Sequence, residues 1–304
     1  SPTALEIYRR LGDVRLAQLD RPGLLAAVND VDVLVVRLAN QIDQPIFASA
    51  PNLKAVVSPT TGLDHIDLEA AERHGVKVLS LRGDVDFLRS IPATAELTWA
   101  LLLALTRNIP AAFASVKSGA WQRDLFRGHD LAGKKLGILG LGRVGSIVAR
   151  YGLAFGMNVG AFDPAPLRWE QGVFQAGSIN ELFTRADVLS IHVPLNAETR
   201  QLVGREQLSL LPPQAVLINT SRGDVLDEAA LLAALEAGSI AGAALDVLSN
   251  ERSGTLADSL LVQYARTHLN LILTPHIGGA TYESMAATEV FMAKKLKEWM
   301  ESVP

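Results

Sequence analysis

Between residues 135 and 276 the chain alternates short apolar runs with segments of helical period. The runs are "KLGILG", "NVGAF", "DVLSIHV", "AVLINT", "GAALDV" and "LILTPH". Most lack the polar alternation of a strand that meets water on one side. Strands buried on both faces read this way. The helices between them have legible ends. "SINELFTRA" opens on Ser178 with Glu181 three residues on, and "DEAALLAALEAG" opens on Asp227 and closes on Gly238. This pattern predicts an α/β fold with a parallel, doubly wound sheet.

Residues 1–92 repeat the alternation on a smaller scale. "DVLVVR", "LKAVVS" and "VKVLSL" read as strands, and "DLEAAERHG" as the helix between the last two. A second, smaller α/β domain of flavodoxin-like layering is expected there. The opening "SPTALEIYRRLG" reads as a helix entry, so the sequence is expected to begin after that domain's natural first strand. "TYESMAATEVFMAKKLKEWMESV" reads as one long amphipathic helix returning to the first domain. The expected organisation is therefore 1–92 plus 281–304, with the larger domain, 93–280, inserted.

A chain of 304 residues fits two domains of roughly 150 residues each. Hydrophobic residues make up 49% and charged residues 20%, enough apolar material for real cores. A net charge of −4 without basic blocks argues against nucleic acid or a membrane surface as partner. The absence of cysteine excludes disulfides, thiolate metal sites and cysteine nucleophiles. It fits a cytoplasmic protein, and no signal-peptide pattern is expected in the charged opening. The most apolar stretch, "LTWALLLALTRNI", is shorter than the roughly 20 residues of a membrane span and reads as a buried helix. His65, His74, His129 and His268 read as surface or loop residues whose scatter offers no metal-ligand spacing.

"GLGRVG" runs from Gly140 through Leu141, Gly142, Arg143 and Val144 to Gly145, in G-x-G-x-x-G spacing. The pattern alone is weak, but here an apolar run precedes it and a helical segment follows. The first glycine permits the tight turn, the second lets backbone approach a pyrophosphate, and the third lets helix and strand pack closely. Helix-start N–H groups then attract the anion. Asp163, 18 residues after Gly145, ends the next run. Its carboxylate can accept from both ribose hydroxyls and repels a 2′-phosphate, which favours NAD over NADP. Arg168 lies close enough to soften that preference. The larger domain is thus expected to be a Rossmann-type, dinucleotide-binding one.

Three further stretches lie at or just past strand ends, where ligands of open α/β sheets bind. "NTSRGDVLDE" places Arg222, "ALDVLSNE" places Asp246 and Glu251, and "TPHIGG" places His276. Taken singly, each has an ordinary role as a surface charge, turn residue or cap. Their joint placement suits hydride transfer to or from a 2-oxo acid. Arg222 offers a forked cation for a carboxylate and the neighbouring carbonyl oxygen. His276 can protonate that oxygen. Glu251 beside the ring favours imidazolium and fixes its orientation. Asp246 can accept from a nicotinamide carboxamide.

These stretches, with "TTGLDHIDLEAAERHGV", "ATAELTWALLLALTRNI" and "DVLSIHVPLNAETR", resemble the D-isomer-specific 2-hydroxyacid dehydrogenases, especially the phosphoglycerate-dehydrogenase-like branch. The resemblance implies a catalytic set on Arg222, Glu251 and His276, and a substrate carboxylate held by backbone around Thr60, Thr61 and Gly62. It implies Arg143 and Val144 against the pyrophosphate and Asp163 on the ribose. His192, Val193, Pro194 and Thr199 are implied beside the adenosine, and Thr94, Thr220, Ser221 and Asp246 near the nicotinamide. Gly278 and Gly279 would give the cofactor room. It also implies a homodimer through residues 97–130, which the exposed-type Trp121 fits.

The sequence departs from that branch at Ser58, where an arginine commonly helps to hold phosphate. Arg37 keeps another anion contact, and Arg82 and Arg89 offer replacement charge. The regulatory domain of longer relatives is expected to be absent. The substrate reading is 3-phosphoglycerate or another anionic 2-hydroxy acid. The rival readings are a formate- or phosphite-oxidising relative, which Glu251 disfavours because those enzymes pair the histidine with glutamine, and a non-catalytic, NAD-sensing corepressor-like protein.

Overall fold

A computed structural model of the chain describes residues 1–166, 169–251 and 256–302. The chain divides into two compact units, Ser1–Ser90 with Thr281–Pro304, and Ile91–Ala280.

In the first unit, β1 (Val33–Val35), β2 (Ala55–Ser58) and β3 (Lys77–Ser80) pair in parallel, in the order β1-β2-β3. Successive strand residues face opposite sides. Val56 therefore enters a cluster with Ile42, Ile46, Phe47 and Ile66, while Ala55 and Val57 enter another with Leu79, Leu81, Met292 and Leu296. Both faces of β2 are buried, which is why its sequence shows no alternation. Helix Tyr282–Ser302 is tied to β3 through Lys295, which donates to the Ser80 carbonyl (2.9 Å) and to Asp84 (2.5 Å). The opening residues form helix Pro2–Leu11, capped by the Ser1 hydroxyl, with proline where a helix tolerates its missing N–H. With that capped helix ahead of β1, the described sheet has three strands, fewer than a flavodoxin-like sheet.

Among the described residues the second unit holds seven parallel strands. These are β4 (Lys135–Leu139), β5 (Asn158–Phe162), β6 (Phe174–Gln175), β7 (Val188–Ile191), β8 (Val216–Asn219), β9 (Gly242–Leu245) and β10 (Leu271–Leu273). Their order is β10-β9-β8-β7-β4-β5-β6. The chain winds outward from β4 through β5 to β6, then returns to the other side of β4 at β7, which makes the β4/β7 boundary the switch point of a doubly wound sheet. Leu136 and Ile138 of β4 and Ile218 of β8 face one core layer, and Leu139, Leu217 and Leu245 the other. The short strand β6, with both residues exposed, is absent from the sequence-based reading, since two exposed residues leave no apolar run to find.

Helix Ala93–Thr106 belongs to this core. Residues Val85–Thr106 are long and apolar enough to cross a bilayer, so the length argument from sequence does not settle the matter. Packing does: Trp99, Leu101, Leu102 and Leu105 lie buried with Leu136, Ile147 and Ile218.

Candidate active site

Parallel strands point the same way, so the segments leaving β4, β5, β7, β8, β9 and β10 all emerge on one rim of the second unit. The glycine loop occupies the switch point. Gly140 has φ +95°, and a side-chain carbon there would lie 2.9 Å from the His192 carbonyl carbon, in the segment leaving β7. At Gly145 the same carbon would lie 2.0 Å from the Gly140 oxygen, so helix Arg143–Ala154 can sit this close to β4 only without a side chain. At Gly142 it would meet nothing within 4 Å. The loop is therefore closed beneath and open above, as a pyrophosphate cradle must be. Asp163 braces it, accepting from the Leu141 N–H (2.7 Å) and the Ala165 N–H (2.8 Å). Each carboxylate oxygen keeps a further lone pair for a ribose hydroxyl. Arg168 lies outside the described residues.

Arg143 donates from Nη1 to the Ile91 carbonyl (2.9 Å), and burial draws its guanidinium below the ordinary range. Val144 turns its side chain toward the core, leaving the backbone at the helix start to face an anion. His192 shares a hydrogen bond with the Ser190 hydroxyl (2.7 Å). Burial, with Arg143 nearby, pushes its pKa down to about 3, so this ring is neutral. Val193 packs on the core, while the Thr199 hydroxyl donates to the Pro194 carbonyl (2.6 Å) and closes its own loop.

The segments leaving β8, β9 and β10 carry the charged groups. Asn219, fully buried at the end of β8, accepts from the Ser221 N–H (3.0 Å) and hydroxyl (2.7 Å) and donates to the Arg222 carbonyl (3.0 Å). It thereby shapes the turn that presents Arg222, a role that sequence reading missed. The Arg222 guanidinium also donates to the Ser221 carbonyl (2.7 Å). The Thr220 hydroxyl turns inward to Thr98 (2.8 Å), so only its backbone lies at the rim.

Asp246 is 1% exposed at the end of β9. It accepts from the Thr274 hydroxyl (2.6 Å) and from the N–H groups of Ile277 (2.8 Å) and Gly278 (2.7 Å). Burial raises its pKa against the pull of these donors. Three of about four lone-pair directions are used, and one remains. The carboxylate is first the anchor of the segment leaving β10. Between those anchored residues stands His276, with φ +54°, a strained conformation for a residue with a side chain. Its Nδ1 meets Glu251 Oε1 at 2.5 Å. This bond holds the ring through Nδ1 and leaves Nε2 as the ring's other polar atom. A carbon on Gly278 would lie 3.3 Å from the Thr94 methyl, whereas one on Gly279 would meet nothing within 4 Å.

In the first unit, the Thr60 hydroxyl donates to the Gly62 carbonyl (2.9 Å) and bonds the Ser58 hydroxyl (2.8 Å), which bonds His65 Nε2 (3.1 Å). His65 is fully buried, which corrects its reading as a surface or loop residue. The ring fills the space behind the 58–62 loop and sets its shape. Thr61 is exposed at the loop's tip. Arg37 is paired with Glu289 (3.2 Å) and Arg89 with Asp86 (3.1 Å), while Arg82 is exposed.

The second unit thus carries, on one strand-end rim, a glycine loop with Asp163 bonded to it and, a few strands away, a histidine bonded to a carboxylate, with Arg222 in a neighbouring segment. Residues 99–278 match the family model for the NAD binding domain of D-isomer specific 2-hydroxyacid dehydrogenases. The chain is 40% identical over 299 residues to the D-3-phosphoglycerate dehydrogenase of Methanocaldococcus jannaschii, covering 97% of this chain and 55% of that protein. It therefore spans about half the length of the phosphoglycerate dehydrogenases it matches. It is 34% identical over 284 residues to the hydroxypyruvate reductase of Thermotoga maritima, covering 93% of this chain and 90% of that protein. Among solved structures it is similar to the D-lactate dehydrogenase of Aquifex aeolicus complexed with NAD and lactic acid, at a TM-score of 0.82 and 28% identity, covering 99% of this chain and 92% of the other.

Proposed function

The chain belongs to the D-isomer specific 2-hydroxyacid dehydrogenase family, and on that premise we propose that it interconverts a D-2-hydroxy acid and its 2-oxo acid with NAD. The observation that carries this reading is the His276–Glu251 pair at 2.5 Å, on the strand-end rim that also presents Arg222. NAD supplies and accepts the hydride when bound. Arg222 draws the 2-oxo acid's carboxylate and carbonyl oxygen into place and stabilises negative charge as it grows on that oxygen. His276 gives that oxygen a proton from Nε2, and Glu251 holds the resulting ring in position. In the reverse direction the same ring removes the hydroxyl proton.

Three residues support a substrate side chain without phosphate. Ser58 stands where the phosphoglycerate branch commonly has arginine, and its hydroxyl is committed to Thr60 and His65. Arg37 and Arg89 are paired with carboxylates. Against these three residues stands the higher identity to D-3-phosphoglycerate dehydrogenases, 40% beside 34% for the hydroxypyruvate reductase. The test is a panel of 2-oxo acids scored by NADH oxidation. Hydroxypyruvate or glyoxylate should be reduced faster than phosphohydroxypyruvate, and the opposite ranking overturns the substrate proposal. NADH binding without turnover of any panel member would favour the sensor reading.

A homodimer is part of this proposal. Helix Ile109–Lys117 buries none of its residues, and Phe113, Trp121 and Leu125 are 66%, 86% and 69% exposed. An apolar strip of this kind suits a second copy. Sedimentation should give twice the chain mass, and Phe113→Glu should reduce it.

A further inference from the structure

Glu251 reaches His276 from a turn that leaves β9, and that turn is held from an unexpected side. Val247 and Leu248 are buried, and the chain then reverses through Asn250 at φ +58° to deliver Glu251. Within the turn the Leu248 N–H donates to Glu251 Oε2 (3.3 Å), and among the described residues two others press on or bind the Leu248–Ser249 peptide. Gly223, the residue after Arg222, presses against it so closely that a side-chain carbon there would lie 2.1 Å from the Leu248 carbonyl carbon and 2.3 Å from the Ser249 nitrogen. The Ser249 N–H donates to Glu228 Oε1 at 2.5 Å. Glu228 opens helix Glu228–Glu236, whose start is fixed by the Asp227 side chain on the Ala230 N–H (3.0 Å). A rigid element therefore grips the one peptide wedged between the Arg222 turn and the Glu251 turn.

We propose that Glu228 is a positioning residue for the reaction proposed above: by holding the Ser249 amide it fixes the turn that brings Glu251 to His276. Glu228 stands in the first turn of its helix, where a carboxylate also meets the positive helix end. Burial raises the pKa of Glu228 against the pull of the Ser249 donors, and Asp224 and Glu251 add a smaller push in the same direction.

The test compares Glu228→Ala, Glu228→Asp and Glu228→Gln in the full chain. Gln keeps the reach and an accepting oxygen but not the charge, and Asp keeps the charge but not the reach. Ala and Asp should lower kcat by roughly tenfold or more with the KM for NADH unchanged, and should expose the Ser249 amide to hydrogen exchange. Gln should retain both kcat and amide protection. Loss of protection in Ala or Asp without loss of kcat overturns the proposal, as does a Gln variant as slow as Ala. If Ala fails to fold, the Asp–Gln contrast decides alone. If the parent turns over no 2-oxo acid, the reaction reading falls. The clamp is then judged on exchange, and an unprotected Ser249 in the parent refutes it.

Discussion

Two stretches of one sheet rim solve different problems in different ways. After β4, β5 and β7 the rim is made mainly of backbone: Gly140 and Gly145 remove side chains so that segments can touch, and Gly142 leaves space above. After β8, β9 and β10 it is made of ionisable groups, and almost every one is bound to the chain around it. Asn219 holds the Arg222 turn, Asp246 holds the segment around His276, and Glu228 holds the Glu251 turn. A bound anion needs N–H groups and room, which glycine provides. Proton exchange needs a ring and a carboxylate fixed to within a fraction of an ångström, which takes buried polar anchors.

The difference can be broken most sharply at His276. His276→Asn is expected to lower turnover about 10³-fold while NADH binding stays near that of the parent. Stopped-flow reduction and NADH fluorescence titration measure the two, and a parallel loss of both would mean the two stretches are not separable. Gly145→Ala should do the reverse. Its added carbon meets the Gly140 oxygen, so a destabilisation of about 3 kcal/mol and weakened NADH binding are expected in urea unfolding and titration. Asp163→Ala should narrow the preference for NADH over NADPH by roughly tenfold, with kcat little changed. An unaltered ratio of kcat/KM values would show that Asp163 braces the loop and does not read the ribose.

Close to neutral pH the smallest effect is a pH dependence. His192 titrates near 6.5 when unfolded and at about 3 when folded. Above the unfolded value both states are neutral. As pH falls from there toward about 3, the unfolded chain takes a proton that the folded one refuses, so stability declines by at most about 1.4 kcal/mol per pH unit from this residue. His192→Gln should flatten that part of the stability curve. An unchanged slope would assign the acid sensitivity to other groups.

What the sequence reveals follows from what leaves a local pattern. The strands from β4 to β10, β6 excepted, show as apolar runs because both faces are covered. Gly140 and Gly145 show because missing side chains at fixed spacing mark close approach. Ser178 and Asp227 show because a cap lies three residues from the amide it binds. His65 is misread because its partner, Ser58, lies across a loop whose course no period encodes. Asn219 and Glu228 go unnoticed for the same reason, since a side chain gripping another turn's peptide has no local signature. Thr199 and Thr220 stand in the expected segments, yet their hydroxyls turn to their own surroundings, a choice of rotamer that spacing cannot convey.

The strand order has a consequence for how such chains diversify. Because winding reverses once, residues from β4 through β7 supply the glycine loop together with Arg143, Asp163 and His192, and residues from β8 through β10 supply Arg222, Asp246, Glu251 and His276. A genetic crossover near helix Arg205–Ser209 would exchange one half for that of a relative, provided that contacts across the join, such as Thr98 with Thr220, are matched. New reactions can then be tried on an inherited glycine loop as long as those few contacts are kept.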